Sequence, residues 1–231
     1  MKLGIMQPYF LPYIGYWQLI NAVDVFVVYD NIQYTKKGWI NRNRYLLNGK
    51  DKLFTINIKN NSDRLNVNER FLSLEYKKDK LITMFQHAYF KGPMKSVALQ
   101  LLAEIINCQE ENLFQYIYNS VVRICEFLEI KTKIIISSSI DIDHSLKAEY
   151  KVLAICKELN AETYINSIGG MELYSKEMFK EHGVELKFIK SKPIEYKQFD
   201  NEFVPNLSIV DVVMFNSVEE MKNMLGQYEL I

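Results

Sequence analysis

Short apolar runs and longer helical patterns alternate along most of the chain. Residues 3–7 and 25–29 are apolar runs of the length of a buried strand, and turn-forming residues follow each of them. Between them, apolar residues at helical spacing predict a helix over 14–23, with Pro12 just before it. A strand, a helix and a second strand in this order predict two parallel strands joined by a right-handed crossover.

A hairpin follows, and then a helical stretch. Residues 44–47 and 53–58 are predicted to pair as antiparallel strands, because Asn48-Gly49 supplies the positive φ angles of a tight two-residue turn. Residues 60–68 are polar and lack periodicity, which predicts a surface loop. Apolar stripes at helical spacing then predict three helices, over 81–90, 97–106 and 113–128.

The second half returns to alternating strands and helices. Strands are predicted over 134–136, 163–165 and 185–189, and helices over 145–159, 173–180, 208–215 and 217–225. Strands that alternate with helices at these lengths predict an α/β fold with a mainly parallel sheet and flanking helices. The chain has no internal repeat and no linker, so residues 1–231 are predicted to form a single domain with a helical insertion near 70–130.

Composition argues against several classes of protein. Hydrophobic residues make up 48% and aromatic residues 13% of the 231 residues, which is enough for a substantial core. The 28 Lys and Arg residues balance the 28 Asp and Glu residues, which argues against a uniformly basic nucleic-acid binder, and nucleic acid is not an expected partner. With 15 Tyr and 13 Phe but 9 Gly and 5 Pro, the chain falls outside low-complexity and collagen-like sequences.

Cysteine and histidine positions argue against disulfides and metal sites. Cys108, Cys125 and Cys156 are far apart, so buried thiols are expected rather than a disulfide framework or a zinc cluster. The three histidines are also widely spaced and form no metal-binding array. No apolar run approaches the roughly 18 residues of a membrane span, and the N-terminus lacks a signal-peptide core, so a cytoplasmic protein is expected.

The first candidate site is the proline-rich segment between the first strand and the first helix. In open α/β sheets, ligands bind beyond the carboxyl ends of the strands, where a helix N-terminus also offers free N–H groups to an anion. Two prolines stiffen this loop, and Gly15 would allow a ligand to approach closely. Tyr9, Tyr13 and Tyr16 can stack on a ring or bind a sugar, and Gln7 can orient a hydroxyl group. The alternative is that these tyrosines are half-buried packing residues with satisfied hydroxyls.

The second candidate site follows the second predicted strand, over residues 30–44. Residues 36–44 hold four cations and no acid, which suits a polyanion such as a sugar-nucleotide diphosphate or a bound acyl carrier. If residues 39–44 are extended, the two asparagines face one side and the two arginines the other. The alternative is a solvated surface hairpin with one tryptophan anchor. The candidate binding residues are Gln33, Lys37, Trp39, Asn41, Arg42, Asn43 and Arg44.

Three weaker signals lie elsewhere in the chain. Asn166, Gly169 and Gly170 lie at a second strand-to-helix junction, where paired glycines would let the backbone approach a ligand or simply form a turn. His87 could transfer a proton or lie on a helix surface. Asp211 lies within an apolar helix, so its carboxylate needs a partner, such as one of the two arginines of the second candidate site.

At these segments the sequence resembles the WbqC-like family, which in bacteria is often associated with surface-polysaccharide and O-antigen gene clusters. The resemblance covers nearly the whole chain and rests on residues 6–16, 30–34, 37–44, 166–170 and 207–211. It implies transfer of an amino-acyl group, glycine in particular, to the amine of an amino sugar. No cofactor, acyl donor or catalytic role follows from it.

A fainter resemblance concerns Tyr13-Ile14-Gly15-Tyr16. This segment takes the place of the H-x-G-H motif of a class of nucleotidyltransferases, in which two histidines bind nucleotide phosphates. The likeness implies a Rossmann-like, nucleotide-binding fold. Both histidines are tyrosines here, which argues against ordinary nucleotidyl transfer.

Three functions therefore compete. The first is a cytoplasmic transferase that acylates a nucleotide-activated amino sugar, with a nucleotide-sugar-like small molecule as its partner. In that reaction Asp30 or His87 would take the proton of the sugar ammonium. The second is a nucleotidyltransferase or ligase that binds ATP or CTP at residues 13–16. The third is a non-catalytic scaffold of a polysaccharide-assembly complex.

Overall fold

Eight strands and eight α-helices form the regular structure of the residues that the computed structural model describes, which are 1–60, 62 and 64–231. The strands are β1 (Lys2–Met6), β2 (Val25–Val28), β3 (Arg42–Leu47), β4 (Lys50–Thr55), β5 (Lys133–Ile136), β6 (Thr163–Ser167), β7 (Glu185–Ser191) and β8 (Tyr228–Leu230). The helices are α1 (Ile14–Asn21), α2 (Lys78–Ala88), α3 (Lys95–Ile106), α4 (Leu113–Phe127), α5 (Ala148–Glu158), α6 (Lys176–Glu181), α7 (Ile209–Phe215) and α8 (Val218–Leu225).

Six of these strands form one mostly parallel sheet in the order β5-β2-β1-β6-β7-β8. Leu3 of β1 pairs with Val25 of β2 on one side and with Tyr164 of β6 on the other. Only β8 runs antiparallel to its neighbour, with Ile189 opposite Leu230. The chain winds outward from β1 in one direction and from β6 in the other. In open α/β sheets, ligands bind at the carboxyl ends of the strands near such a reversal.

Buried side chains cover both faces of this sheet. On one face, Phe26 and Val28 pack in a cluster that includes α1, the helices α2 to α4, and α7 with α8. On the other face, Leu3, Ile5 and Val27 pack against α5 and α6. Successive strand residues point to opposite faces, which is why Val27 and Val28 belong to different clusters.

The structure confirms most of the elements that the hydrophobic pattern predicts. β1 and β2 are parallel, and β3 and β4 form the expected hairpin. Asn48 and Gly49 adopt the positive φ angles of its turn, 53° and 71°. Three helices, α2 to α4, lie between β2 and β5 in the chain, in the stretch predicted as a helical insertion.

Other details differ from the prediction. The helix predicted over 173–180 begins at Lys176, because Ile168–Leu173 forms a 3-10 turn and Ser175 Oγ caps α6 by accepting from Met178 N at 3.3 Å. β8 was not predicted, since it is only a three-residue edge strand. The polar loop predicted over 60–68 includes residues 61 and 63, which lie outside the described residues, and it leads into the 3-10 turn Val67–Glu69.

Within residues 1–60, 62 and 64–231, no helix combines the length and the apolar character needed to cross a membrane.

Candidate functional site

Hydrogen bonds fix the proline-rich loop after β1 to the hairpin and to the start of α7. The carbonyl oxygen of Leu11 accepts from Asn43 Nδ2 at 3.0 Å and from Ser208 Oγ at 2.6 Å. Phe10 N donates to Ile40 O at 2.9 Å, just before β3. Leu11 adopts a φ of 47°, which is unfavourable for a residue with a Cβ atom. These contacts hold the loop in a defined conformation near the carboxyl end of β1.

Three separate segments of the chain enclose a cavity of about 270 Å³ beside this loop, which we call the aromatic cavity. Two segments are the candidate sites of the sequence, and the third is the irregular stretch between β7 and α7. The lining residues are Tyr9, Pro12, Tyr13, Trp39, Asn43, Arg44 and Asn206. The fold therefore brings together predicted binding residues from two loops that are distant in sequence.

Gly15 makes room for the ring of Tyr13. A Cβ atom at position 15 would lie 2.5 Å from the Cε2, Cζ and hydroxyl oxygen atoms of Tyr13. The sequence predicts that Gly15 admits a ligand, but the tyrosine ring fills this space instead. The side chain of Ser191, at the end of β7, lies close enough to Tyr13 to oppose the rise of its pKa. Tyr13 thus extends from α1 toward β7 and forms one wall of the aromatic cavity.

Trp39 contacts two guanidinium groups. The Cζ atom of Arg44 lies 5.1 Å from the centre of the Trp39 ring, and that of Arg42 lies 5.6 Å from it. Arg42 donates to two backbone carbonyls of the preceding turn, so its hydrogen bonds brace that turn. Arg44 lines the cavity, and its Nε lies 3.5 Å from a carboxylate oxygen of Asp51. Both partners are partly exposed, so this ion pair is weak and Arg44 remains able to bind a phosphate.

Buried and partly exposed side chains alternate over residues 41–44, although the strand begins at Arg42 and residues 39–41 are not extended as predicted. Asn41 and Asn43 are buried, whereas Arg42 and Arg44 are partly exposed. Asn41 accepts from the Tyr34 hydroxyl at 2.8 Å and its Nδ2 donates to a backbone carbonyl on the chain after β4. The side-chain amides of both asparagines thus form hydrogen bonds with the backbone of other segments, and Asn43 also lines the cavity.

The tyrosines of the two candidate sites divide into two groups. Tyr16 and Tyr34 are buried, so they are packing residues rather than residues that a ligand can reach. The Tyr16 hydroxyl donates to Gln7 O at 3.0 Å, and the Tyr9 hydroxyl donates to Gln7 Oε1 at 3.3 Å. Burial raises the pKa of Tyr9 and of Tyr13. Both hydroxyls therefore stay protonated at neutral pH.

A cavity of about 590 Å³ adjoins the aromatic cavity and shares Tyr13 and Asn206 with it. A third cavity, of about 1090 Å³, shares Tyr196 with the cavity of 590 Å³, and its lining includes His87. His87 is exposed on α2, so the structure does not bring this predicted base to the aromatic cavity.

Asp30 lies in a polar cluster at the carboxyl ends of β2 and β5. Its carboxylate accepts from Ser137 Oγ and Ser138 N, both at 2.9 Å, and from Asn68 Nδ2 at 2.8 Å. Burial lowers the pKa of the nearby Lys151, while the charge of Asp30 opposes this shift. Asp30 is thus tightly bound within the protein, and its role in proton transfer stays a prediction.

The junction after β6 is built around Asn166. This side chain is buried, and its Oδ1 accepts from Ser167 N at 2.8 Å. A Cβ atom at Gly170 would collide with Asn166 Nδ2, whereas Gly169 has open space around it. The close approach that Gly170 permits is therefore that of a protein side chain.

Gln33 and Lys37 lie on the exposed segment that leads to β3. Gln33 pairs with Asn66 in an isolated antiparallel bridge. Lys37 adopts a φ of 62°, and its carbonyl accepts from Arg42. The lining of the aromatic cavity includes neither side chain.

The structure corrects the predicted partner of Asp211. Arg42 and Arg44, the predicted partners, contact Trp39 instead. Asp211 is fully buried, and burial raises the pKa of its carboxyl group. Its hydrogen bonds lower the pKa, but by less than burial raises it. Neutral groups satisfy this carboxylate, and no cation in the described part of the chain forms an ion pair with it. The donors are Tyr89, Tyr196 and Gln198.

Asn206 and Pro12 line the aromatic cavity although the sequence did not single them out as ligand-binding residues. Asn206 comes two residues before Ser208, whose Oγ caps α7 by accepting from Val210 N at 3.2 Å. A serine before an apolar helix is a sequence signal for such a cap. That signal predicts where α7 begins but not that this segment meets the proline-rich loop.

Among the described residues, no group of three or more His, Cys, Asp or Glu side chains is arranged to hold a metal ion.

Comparisons with known proteins identify the family of the chain and one similar protein. The sequence model of the WbqC-like protein family matches residues 7–223, a span that includes every lining residue of the aromatic cavity. The chain is also similar to a protein of Mycobacterium tuberculosis (strain ATCC 25618 / H37Rv) named "Uncharacterized protein Rv1507c". The two are 25% identical over 230 residues, which cover 93% of each chain. No solved structure matches the chain.

Proposed function

The chain belongs to the WbqC-like protein family, and we propose that it is a transferase that acts on a nucleotide-activated amino sugar in surface-polysaccharide, or O-antigen, biosynthesis. The group transferred is an acyl or aminoacyl group. A bond forms between the sugar nitrogen and the acyl carbon, and the bond from that carbon to its carrier breaks. The carrier leaves with the electron pair and takes up the proton that the amine loses.

The aromatic cavity is the observation that carries this proposal. Tyr9, Tyr13 and Trp39 offer ring faces to a base or a sugar, and Arg44 offers a planar cation to a diphosphate. A ligand that combines rings with negative charge fits this set of side chains better than a purely apolar or a purely ionic ligand does.

The order of the strands supports a nucleotide as part of the ligand. Numbered by their appearance within the large sheet, the five parallel strands follow the order 3-2-1-4-5, as in Rossmann-like dinucleotide-binding folds, whereas the edge strand β8 is antiparallel. The proline-rich loop comes directly after the first of these strands. On this basis we assign the chain to a Rossmann-like arrangement with its ligand at the carboxyl side of the sheet.

The packing of residues 13–16 favours this reading over nucleotidyl transfer. Tyr16 is buried, and the ring of Tyr13 covers Gly15. Side chains of the protein thus occupy the place where an open Gly-rich turn would receive nucleotide phosphates.

Calorimetric titration with UDP-, dTDP- and GDP-linked amino sugars tests the proposal. Arg44→Gln should weaken the binding of the preferred compound about tenfold to a hundredfold, because hydrogen bonds to charged groups contribute about 1.5–3 kcal/mol. The matched control is Arg123→Gln, since Arg123 forms exposed ion pairs with Glu104 and Glu126 on the surface of the helical stretch. This control should bind as the wild type does.

Two results would count against the proposal. The wild type could bind none of these compounds, or it could bind the free amino sugar as tightly as the nucleotide-linked one. Incubation with activated acyl donors then separates an enzyme from a scaffold, because only an enzyme yields the N-acylated sugar in a mass spectrum.

A further inference from the structure

One buried carboxylate, Asp211, connects two walls of the candidate site. Its Oδ1 accepts from the Tyr89 hydroxyl at 2.9 Å. Its Oδ2 accepts from the Tyr196 hydroxyl and from Gln198 Nε2, both at 2.6 Å. Hydrogen bonds to an ionised acceptor are stronger than those between neutral groups. Asp211 is fully buried, so it can act on a ligand only through the groups that surround it.

The first wall is formed by residues 192–207, which we call the strap. The strap runs from β7 to α7 without helix or strand. Gln198 closes a turn within it, because its amide donates to Val204 O at 3.1 Å and accepts from Val204 N at 2.7 Å. Asn206 of the strap lines the aromatic cavity, and Tyr196 lines both larger cavities. Irregular segments of this length are uncommon in compact domains, and those that are not linkers are usually functional.

The second wall is β3. The Tyr89 hydroxyl accepts from Leu46 N at 2.8 Å while it donates to Asp211. Asn43 and Arg44, which line the aromatic cavity, precede Leu46 on the same strand. The position of the strap relative to Arg44 therefore depends on hydrogen bonds that meet at one carboxylate.

We propose that Asp211 is a positioning residue of the candidate site, which holds the strap against β3 and thereby sets the shape of the aromatic cavity and its neighbours. The identity of the ligand in this inference rests on the proposed function. The role of Asp211 in holding the strap does not, because the strap can be studied without any ligand.

The ionisation of the surrounding groups agrees with this role. The titratable groups that hydrogen-bond Asp211 are Tyr89, from the end of α2, and Tyr196, from the strap. Burial, and then the charge of Asp211, raise the pKa of both tyrosines. Both hydroxyls therefore keep their protons and donate to the carboxylate at neutral pH.

Tyr196→Phe and Gln198→Ala test the contacts to the strap while they leave Asp211 in place. Amide hydrogen exchange over residues 194–206 should become about tenfold faster in each, since each loses a hydrogen bond to a charged group. Affinity for the nucleotide-linked amino sugar should fall by a similar factor, with a smaller effect on global unfolding. Tyr150→Phe, on an exposed part of α5, is the matched control and should change neither quantity.

A double substitution tests the chemistry of the contact. In Asp211→Asn, the introduced amide cannot accept from all three donors, so exchange should quicken and affinity should fall. Adding Gln198→Glu places a carboxylate where the introduced amide can donate to it, while the amide oxygen still accepts from Tyr89. The second substitution also removes the donor to Val204 O, so only partial recovery is expected. The double variant should recover part of the lost affinity and protection, which general destabilisation would not do.

The outcomes separate this inference from the proposed function. If the wild type binds no nucleotide sugar, the proposed function fails and the exchange rates of the strap still decide the role of Asp211. Strap exchange unchanged in both Tyr196→Phe and Gln198→Ala would overturn the inference. If Asp211→Asn does not fold, Tyr196→Phe and Gln198→Ala decide alone.

Discussion

At the scale of single residues, Gly15 acts on the candidate site through the side chain that it accommodates. In Gly15→Ala the new Cβ atom would meet the far end of the Tyr13 side chain, which can move aside, rather than the backbone. We expect ligand affinity to fall several-fold because the ring leaves its place in the cavity wall. The free energy of unfolding should change by less than about 1 kcal/mol, since alanine is favoured over glycine in a helix.

Calorimetric titration and urea unfolding measure these two effects of Gly15→Ala separately. Gly226→Ala is the control, because a Cβ atom there meets only ordinary van der Waals contact. Wild-type affinity in Gly15→Ala would show that the position of the Tyr13 ring does not matter for binding.

The raised pKa of Asp211 also predicts how the stability of the protein depends on pH. Burial raises its pKa in the folded protein above the ordinary value of 3.8, although its hydrogen bonds oppose the shift. The folded protein therefore takes up this proton at a higher pH than the unfolded chain does, so the cost of the buried charge disappears as pH falls. The free energy of unfolding of the wild type should rise relative to that of Asp211→Asn between neutral pH and about pH 4. Urea unfolding at a series of pH values measures this difference, and a constant or opposite trend would contradict the assignment.

At the scale of elements, the proline-rich loop depends on contacts from elsewhere in the chain for its conformation. Asn43→Ala removes one of the two side-chain donors to Leu11 O, so the free energy of unfolding should fall by about 1–2 kcal/mol. Asn21→Ala, at an exposed position of α1, should change it by less than about 0.5 kcal/mol. Urea unfolding of the two variants is the measurement. Equal stability of both would mean that Ser208 alone fixes the loop.

Strong periodicity explains which elements could be predicted from the sequence. The apolar run of β2 and the long apolar stripe of α4 follow from the spacing of their own residues. The hairpin follows from Asn48-Gly49, whose chemistry selects one turn. β8 could not be predicted because pairing with β7, rather than any pattern of its own, defines it as a strand.

At the scale of the whole molecule, the candidate site joins segments that only the fold brings together. Tyr9, Tyr13, Trp39 and Arg44 could be singled out because rings and cations in polar loops at strand ends are unusual. Their neighbour Asn206 could not, because a turn of ordinary polar residues carries no such signal. The partners of Asp211 were predicted wrongly for a related reason. Neutral hydroxyl and amide donors, which the search for a cationic partner overlooks, can satisfy a buried carboxylate as well as an arginine can.

Trp39 provides the most direct measurement of the central claim, which is that the aromatic cavity binds a nucleotide-linked amino sugar. The chain has two tryptophans, and Trp17 is fully buried, whereas Trp39 is 41% exposed and lines the cavity. Titration with the nucleotide-linked amino sugar should therefore change the tryptophan fluorescence in a saturable way. In Trp39→Phe, which keeps an aromatic ring, the fluorescence change should disappear while calorimetry still detects binding. A wild type without a saturable change, or an equal change in Trp39→Phe, would contradict binding in this cavity.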